Sequence, residues 1–408
     1  MRASVPSRVP SPLWLARAPH RLLFFAGASQ VFLAMLWWVL WLIAMRWDLW
    51  PMPPPLLPAG LMHGVWMQYL VLPGFFFGFL LTVFPRWIGL TDLSLRHYLP
   101  VALAILGGQW LVCFGAFGWR PGIPLGVLLV LAGWAKALVT LGRLLYQDKG
   151  ACWHARVCFA ALVIGWLGLC MVLAVVLGAS AHWLLISLKL GSFGLLLPVY
   201  ITVAHRMFPF FAKMVFTDYH PWRPLPWLGA VLMLLVVHLG LELMTAPGWL
   251  WLTDVPLTLL SAWALWRWWP RGRMPGLLAV LFVGSLWLPV AFGILSLQSL
   301  ALLISDVWIL GRAPLHALFI GFFGSILVAM VTRVTQGHAG RPLLMPKVAW
   351  YAFVALQAVT VLRMVAEITA DSYAWQALAA LGWLLALAPW LGRIIWIYLS
   401  PRADGKPG

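Results

Sequence analysis

From Leu22 to Met45 the chain runs 24 residues without a charged side chain. A helix of about 20 mostly apolar residues crosses a bilayer core, whereas the apolar part of a cleavable signal peptide spans only about 7–15. This run is therefore expected to persist as a first membrane helix. Comparable runs recur to the end of the chain. They place helices near 21–45, 60–84, 98–118, 122–145, 156–178 and 181–204, and then near 225–246, 249–269, 275–297, 314–334, 347–369 and 374–399. The eighth is the weakest of the twelve, because Asp254 and Pro256 interrupt its start. Backbone groups in lipid must be satisfied within the segment, so the fold class is all-α: a polytopic bundle of about twelve transmembrane helices. The expected layout is a cytoplasmic tail over 1–20, one transmembrane domain over 21–399 and a second cytoplasmic tail over 400–408.

Charge tests this count. Only 9% of residues are charged and 63% are hydrophobic, which excludes a soluble enzyme, yet the net charge is +17. In a soluble protein such an excess would point to nucleic acid. Here, numbering from an inside N-terminus, the inner segments hold 21 of the 27 Lys and Arg, from Arg2 and Arg8 to Lys406. Outer segments hold only Arg46, Arg120 and Arg312, while Lys136, Lys189 and Arg363 lie within helices. Positive residues concentrate in cytoplasmic loops, and miscounting by one helix would invert the bias downstream of it. The excess is thus a topological signal, the implied partner is the lipid bilayer, and nothing in it calls for nucleic acid.

Four cysteines (Cys113, Cys152, Cys158, Cys170) form no CxxC or CxxCH, so neither a disulfide framework nor covalently attached haem is expected. The histidines are more informative. His63, His182 and His316 fall near the outer ends of helices two, six and ten; His238 lies deeper, in the outer half of helix seven. Neutral imidazoles at a shared depth suit haem iron or copper, and an intramembrane histidine is by default a functional candidate. The plainer alternative is that each only hydrogen-bonds a neighbouring helix. Arg363 and Glu367 are spaced to pair on one helix face. Lys189, seven residues after His182, could take a haem propionate or another anion. Glu242 and Glu367 read as the only acids within helices, both toward outer ends, which leaves no carboxylate relay and argues against a pump. Gly74 and Gly78 form a GxxxG suited to close helix approach, and Pro73, Pro198 and Pro289 are expected to kink helices two, six and nine.

At the inner end of helix ten stands Thr332-Arg333-Val-Thr-Gln-Gly337-His338-Ala-Gly340-Arg341-Pro342-Leu343. Gly337 and Gly340 permit turns with positive φ, and Arg333 and Arg341 offer an anion site at the inner leaflet. With His316-Ala-Leu, Gly321, Gly324 and the helix-two stretch Gly78-Phe-Leu-Leu-Thr82, this motif resembles the signature of the NnrS family across nearly the whole chain. Arg206 with Pro209-Phe-Phe, and Arg363, are similar too. The resemblance implies a bacterial inner-membrane protein that binds b-type haem, with copper as a second candidate, and acts in nitric-oxide tolerance linked to denitrification. On that reading His63 and His316 are the axial ligands, His182 and His238 further metal contacts, and Lys189 and Arg363 cofactor-binding cations. Whether the protein is an enzyme, and which redox partner would serve it, is left open. A haem-free transporter or anion- or lipid-binding bundle is the alternative. The family's helix-two pattern resembles Trp-His-x-His-Glu-Met, whereas this chain has Val65 and Trp66 at the second histidine and the glutamate. A looser topological similarity links the chain to haem-copper oxidases, whose ligands also lie on helices two, six, seven and ten.

Overall fold

The computed structural model describes residues 10–150 and 152–405. Arg2, Arg8 and Lys406, counted above on the inner side, lie outside the described residues. Those described form twelve long helical rods and no strand. They are α1 Pro19–Trp47, α2 Ala59–Trp87, α3 Leu95–Ala116, α4 Gly122–Tyr146, α5 Trp153–Val176 and α6 His182–Val215. Then follow α7 Leu225–Leu243, α8 Trp251–Trp268, α9 Gly276–Ser305, α10 Ala313–His338, α11 Lys347–Val365 and α12 Ser372–Leu399. Eleven are long and apolar enough to cross a membrane. The remaining one, α8, is an 18-residue helix carrying Asp254 and Arg267. All twelve expected runs are present. The sixth and ninth continue well beyond their expected ends, α6 to Val215 and α9 to Ser305.

Core placement follows from which helices are wrapped by others. Along α2, α6 and α10 most side chains are buried, whereas α5 and α7 expose much of their surface. Large apolar side chains such as Val236, Leu259 and Trp266 are exposed, as suits lipid-facing positions. The GxxxG expectation holds: Gly74 backs onto Gly27 of α1, where a Cβ would come within 3.1 Å of the Gly27 Cα, and Gly78 backs onto Phe24. Backbones this close gain dispersion contacts that lipid does not offer in return.

Two of the three prolines expected to kink helices stand beside irregular turns. Pro73 and Pro198 are each preceded by a widened π-helical stretch, Trp66–Val71 in α2 and Leu190–Leu196 in α6. Proline lacks the N–H that would bond the carbonyl four residues back and its ring crowds that carbonyl. The extra residue per turn absorbs the conflict: the Leu72 N–H bonds the Met67 carbonyl and the Leu197 N–H the Ser192 carbonyl, each five residues back. A third π stretch, Ala317–Gly324, occurs in α10 with no proline after it, Pro314 lying three residues before it. All three therefore fall in the most buried helices, every fourth rod along the chain. Side chains from other helices satisfy carbonyls that the widened turns leave open. Gln109 Nε2 donates to the Leu70 carbonyl, and the Tyr200 hydroxyl to the Phe323 carbonyl at 3.3 Å.

Candidate functional site

Each of the three π stretches begins close after a polar residue singled out by the sequence. His63 lies three residues before the first, Lys189 immediately before the second and His316 immediately before the third. Such π turns are frequent at functional sites, since they displace the helix face without ending the helix.

The outer ends of α2, α10 and α11 meet around two of the histidines. The His63 ring stacks on Trp38 of α1, centroids 4.7 Å apart, and Trp38 stacks in turn on Trp41 at 5.4 Å. Its Nδ1 is enclosed and has no hydrogen-bond partner. His316 Nδ1 lies 2.9 Å from the Arg312 carbonyl, so this nitrogen carries the proton and Nε2 keeps its lone pair. Arg363 stands within electrostatic reach of both rings, and His63 within reach of His316. Arg363 Nη1 pairs with Glu367 Oε1 at 2.5 Å, as its spacing suggests, the two side chains only 9% and 12% exposed. Glu367 Oε2 also accepts the Arg312 N–H at 3.1 Å. Gly311 turns here with φ +51°, and a Cβ there would run into the Glu367 carboxylate. A tight glycine turn thus delivers the start of α10, with His316, against the end of α11.

His238, His182 and Lys189 lie elsewhere. His182 is exposed at the start of α6. Lys189 Nζ pairs with Glu242 Oε2 at 3.0 Å and also bonds the Glu242 carbonyl. His238 and Asp254 are both completely buried, Nδ1 to Oδ1 2.7 Å, with the Phe193 ring 4.1 Å from the imidazole. Asp254 corrects the sequence reading: it is an acid held inside the first turn of α8 rather than breaking its start, whereas Glu367, expected within a helix, lies two residues past the end of α11. A charged residue near an apolar boundary normally ends a span, which conceals Asp254 at the level of sequence. The signal available was His238 at a comparable outer depth on the preceding helix. Among the described residues, no three His, Cys, Asp or Glu side chains are grouped to hold a metal ion.

The helix-ten motif forms the inner end of α10. Thr332 accepts from Trp390 Nε1 at 2.8 Å, and the Arg333 guanidinium lies 4.0 Å over the Phe211 ring. Gly337 remains helical, contrary to the turn expected there, because α10 continues to His338. Gly340 does take a positive φ, +65°, and its Cα faces Asp404. The Arg341 N–H closes back on the Gln336 carbonyl at 2.9 Å, the Leu344 N–H bonds the Pro342 carbonyl in a tight turn at 2.8 Å, and the Ala403 N–H bonds the Ala339 carbonyl. The motif therefore anchors the C-terminal segment. Its His338 ring sits 4.2 Å from that of His20, and in a separate pair His154 Nε2 and His205 Nδ1 are 2.9 Å apart.

A family model described as NnrS protein matches residues 14–402. The chain belongs to the NnrS family. No curated protein and no solved structure matches it. Within the family reading, Trp66 replaces the glutamate of the helix-two pattern; its indole is buried at the first residue of the π stretch and packs on Trp37 at 5.7 Å. One apolar cavity of about 60 Å³ lies between α1, α2, α6 and α10, lined by Phe24, Phe76, Tyr200 and Met330 among others, and no histidine borders it.

Proposed function

We propose that this NnrS family member is a bacterial inner-membrane protein that binds b-type haem, with copper as a further candidate, and acts in nitric-oxide tolerance linked to denitrification. The convergence of His63, His316 and Arg363 at the outer ends of three helices supports this reading most strongly. The donor set suits the group. His316 offers Nε2 because its Nδ1 is committed to a backbone carbonyl, the arrangement that orients metal-binding imidazoles. His63 carries an enclosed nitrogen that lacks a partner, and a buried polar atom of that kind calls for one. Arg363 supplies a cation for a haem carboxylate. When bound, such a haem would supply reversible nitric-oxide binding and one-electron redox chemistry. The chain's own residues orient the ligands and screen the site from water: Trp38 fixes the His63 ring, and Glu367 holds Arg363. His182 and His238 remain candidates for separate metal contacts.

The alternative, a haem-free carrier coordinating an anion through Lys189 and Arg363, gains less support because Glu242 and Glu367 already pair with both cations. Haem content per protein, measured for wild type, His63→Ala and His316→Ala, together with growth under a nitric-oxide donor, tests the proposal. Near-stoichiometric haem and protection are expected in the wild type and loss of both in either variant. Protection that survives in a haem-free protein would overturn the haem reading.

A further inference from the structure

The apolar cavity between α1, α2, α6 and α10 is used by none of the foregoing. Its volume is about 60 Å³ and its lining is aliphatic and aromatic throughout. The one hydroxyl among the lining side chains, that of Tyr200, already donates to the Phe323 carbonyl. Water needs several polar partners to stay in such a space, so this one is dry and suits hydrocarbon. Most of the lining is buried. Phe79 of α2, Val203 of α6, and Met330 and Val334 of α10 are only half-buried and mark an opening through which a longer chain can continue.

Two guanidinium groups stand on the inner side of this opening. Arg206 follows Val203 and Arg333 follows Met330 by three residues, each about one turn closer to the positively charged end of the bundle. Arg206 lies 4.6 Å over the Trp87 ring, which is 6.2 Å from the lining Phe79. Arg333 lies 4.0 Å over Phe211, one turn beyond the lining Phe208. Arg333 is only 8% exposed, and among the described residues its guanidinium has no hydrogen bond and no carboxylate; Arg206 donates only to Cys152 Sγ, at 3.6 Å. A guanidinium withdrawn from water is costly unless an anion compensates it, and an aromatic face compensates only in part. The chain's own acids at this end are occupied elsewhere. Asp92 pairs with Arg86, Asp404 pairs with Arg402, Asp148 accepts the N–H groups of Gly150 and Cys152, and the exposed Asp218 faces the Thr217 hydroxyl. The compensating anion must come from outside the chain. We propose that the cavity and its rim hold one anionic phospholipid of the inner leaflet, a stretch of its acyl chain in the cavity and its phosphate on Arg206 and Arg333. Guanidinium forks match phosphate oxygens, and basic pockets between membrane helices on the cytoplasmic side suit such headgroups. A phosphate ion lacks the chain that fills the cavity, and a lipid without net charge leaves the two cations uncompensated.

The site lies at the opposite end of the bundle from His63 and His316, so the inference is independent of haem. Its test is photo-crosslinking of the purified full chain in mixed micelles to phosphatidylglycerol carrying a diazirine on one acyl chain, with the labelled positions mapped by peptide mass spectrometry. The wild type is expected to be labelled at the cavity, at Val203 or Met330. Unlabelled phosphatidylglycerol should suppress that label about tenfold more effectively than phosphatidylcholine, the margin expected of a hydrogen-bonded charge, and inorganic phosphate should not suppress it. Arg333→Gln and Arg206→Gln should each lose most of the preference while the label persists. Val203→Phe, which fills the opening, should lose the label in a protein of unchanged helicity. Failure of Arg333→Gln to fold leaves Arg206→Gln and the wild-type competition to decide. Label spread evenly over lipid-facing helices such as α7, equal competition by the two lipids, suppression by inorganic phosphate alone, or a preference unchanged in the arginine variants would overturn the proposal. A haem-free wild type with selective labelling would sink the haem reading while supporting this one.

Discussion

Replacing Arg363 by Gln removes the cation that pairs with Glu367 and stands within electrostatic reach of both candidate ligands. Glu367 would then keep only the Arg312 N–H at 3.1 Å and the limited solvent access that 12% exposure allows. Breaking a buried pair from one side costs about 3–5 kcal/mol, and the surviving backbone bond brings this case just below that range, to about 2.5 kcal/mol. Glu367→Gln strands the Arg363 charge at similar cost. Were the two independent, the double variant Arg363→Gln with Glu367→Gln would lose about 5 kcal/mol. Neutralising both charges should instead cost about 2 kcal/mol, leaving a coupling of about 3 kcal/mol. Reversible unfolding in mixed detergent micelles, run as a double-mutant cycle, reads these values directly. Single variants that lose under about 0.5 kcal/mol, or a double variant whose loss equals the sum, would refute the claim that this is a buried and mutually compensating pair.

Gly78→Leu should destabilise the protein by about 1–3 kcal/mol by forcing α1 from α2, since a Cβ at Gly78 already lies 2.5 Å from Phe24 Cδ1; a lowered melting temperature with unchanged helicity checks it. Gly340→Ala, at φ +65° and facing Asp404, should cost about 1–2 kcal/mol and speed proteolytic removal of the C-terminal segment. In the α2–α3 connection, Arg86 holds the Asp92 carboxyl below its ordinary value through a hydrogen bond at 2.9 Å. A depressed folded value makes the contribution present above the unfolded value of about 4 and lost as pH falls through the folded one. Both side chains are more than half exposed, so the wild type should exceed Asp92→Asn by under about 1 kcal/mol at pH 7, and by nothing once pH drops well below about 4.

The helix count was legible because apolar run length and loop charge report the same topology independently. Even α8, whose Asp254 and Arg267 leave it short of the apolarity of the others, could be placed by the charge alternation it preserves. The GxxxG contact and the Arg363–Glu367 pair were legible for a local reason: each depends on spacing within one helix. What stayed hidden depends on juxtaposition between helices. Pro73 and Pro198 announced irregular turns without saying that each would follow a widened stretch, and α10 widens with no proline after the stretch. The partnership of His238 with Asp254 requires knowing that α7 and α8 present these faces to each other. Gln109, which satisfies a carbonyl of α2 from α3, carries no local signal at all.

The central claim is that His63 and His316 converge to hold one haem. Dithionite-reduced minus oxidised absorption spectra of the purified full-length wild type test it most directly. The expected result is a b-type spectrum that is abolished in His63→Ala and in His316→Ala while both variants remain folded. A wild type without haem absorption, or a spectrum unchanged in both variants, would contradict it.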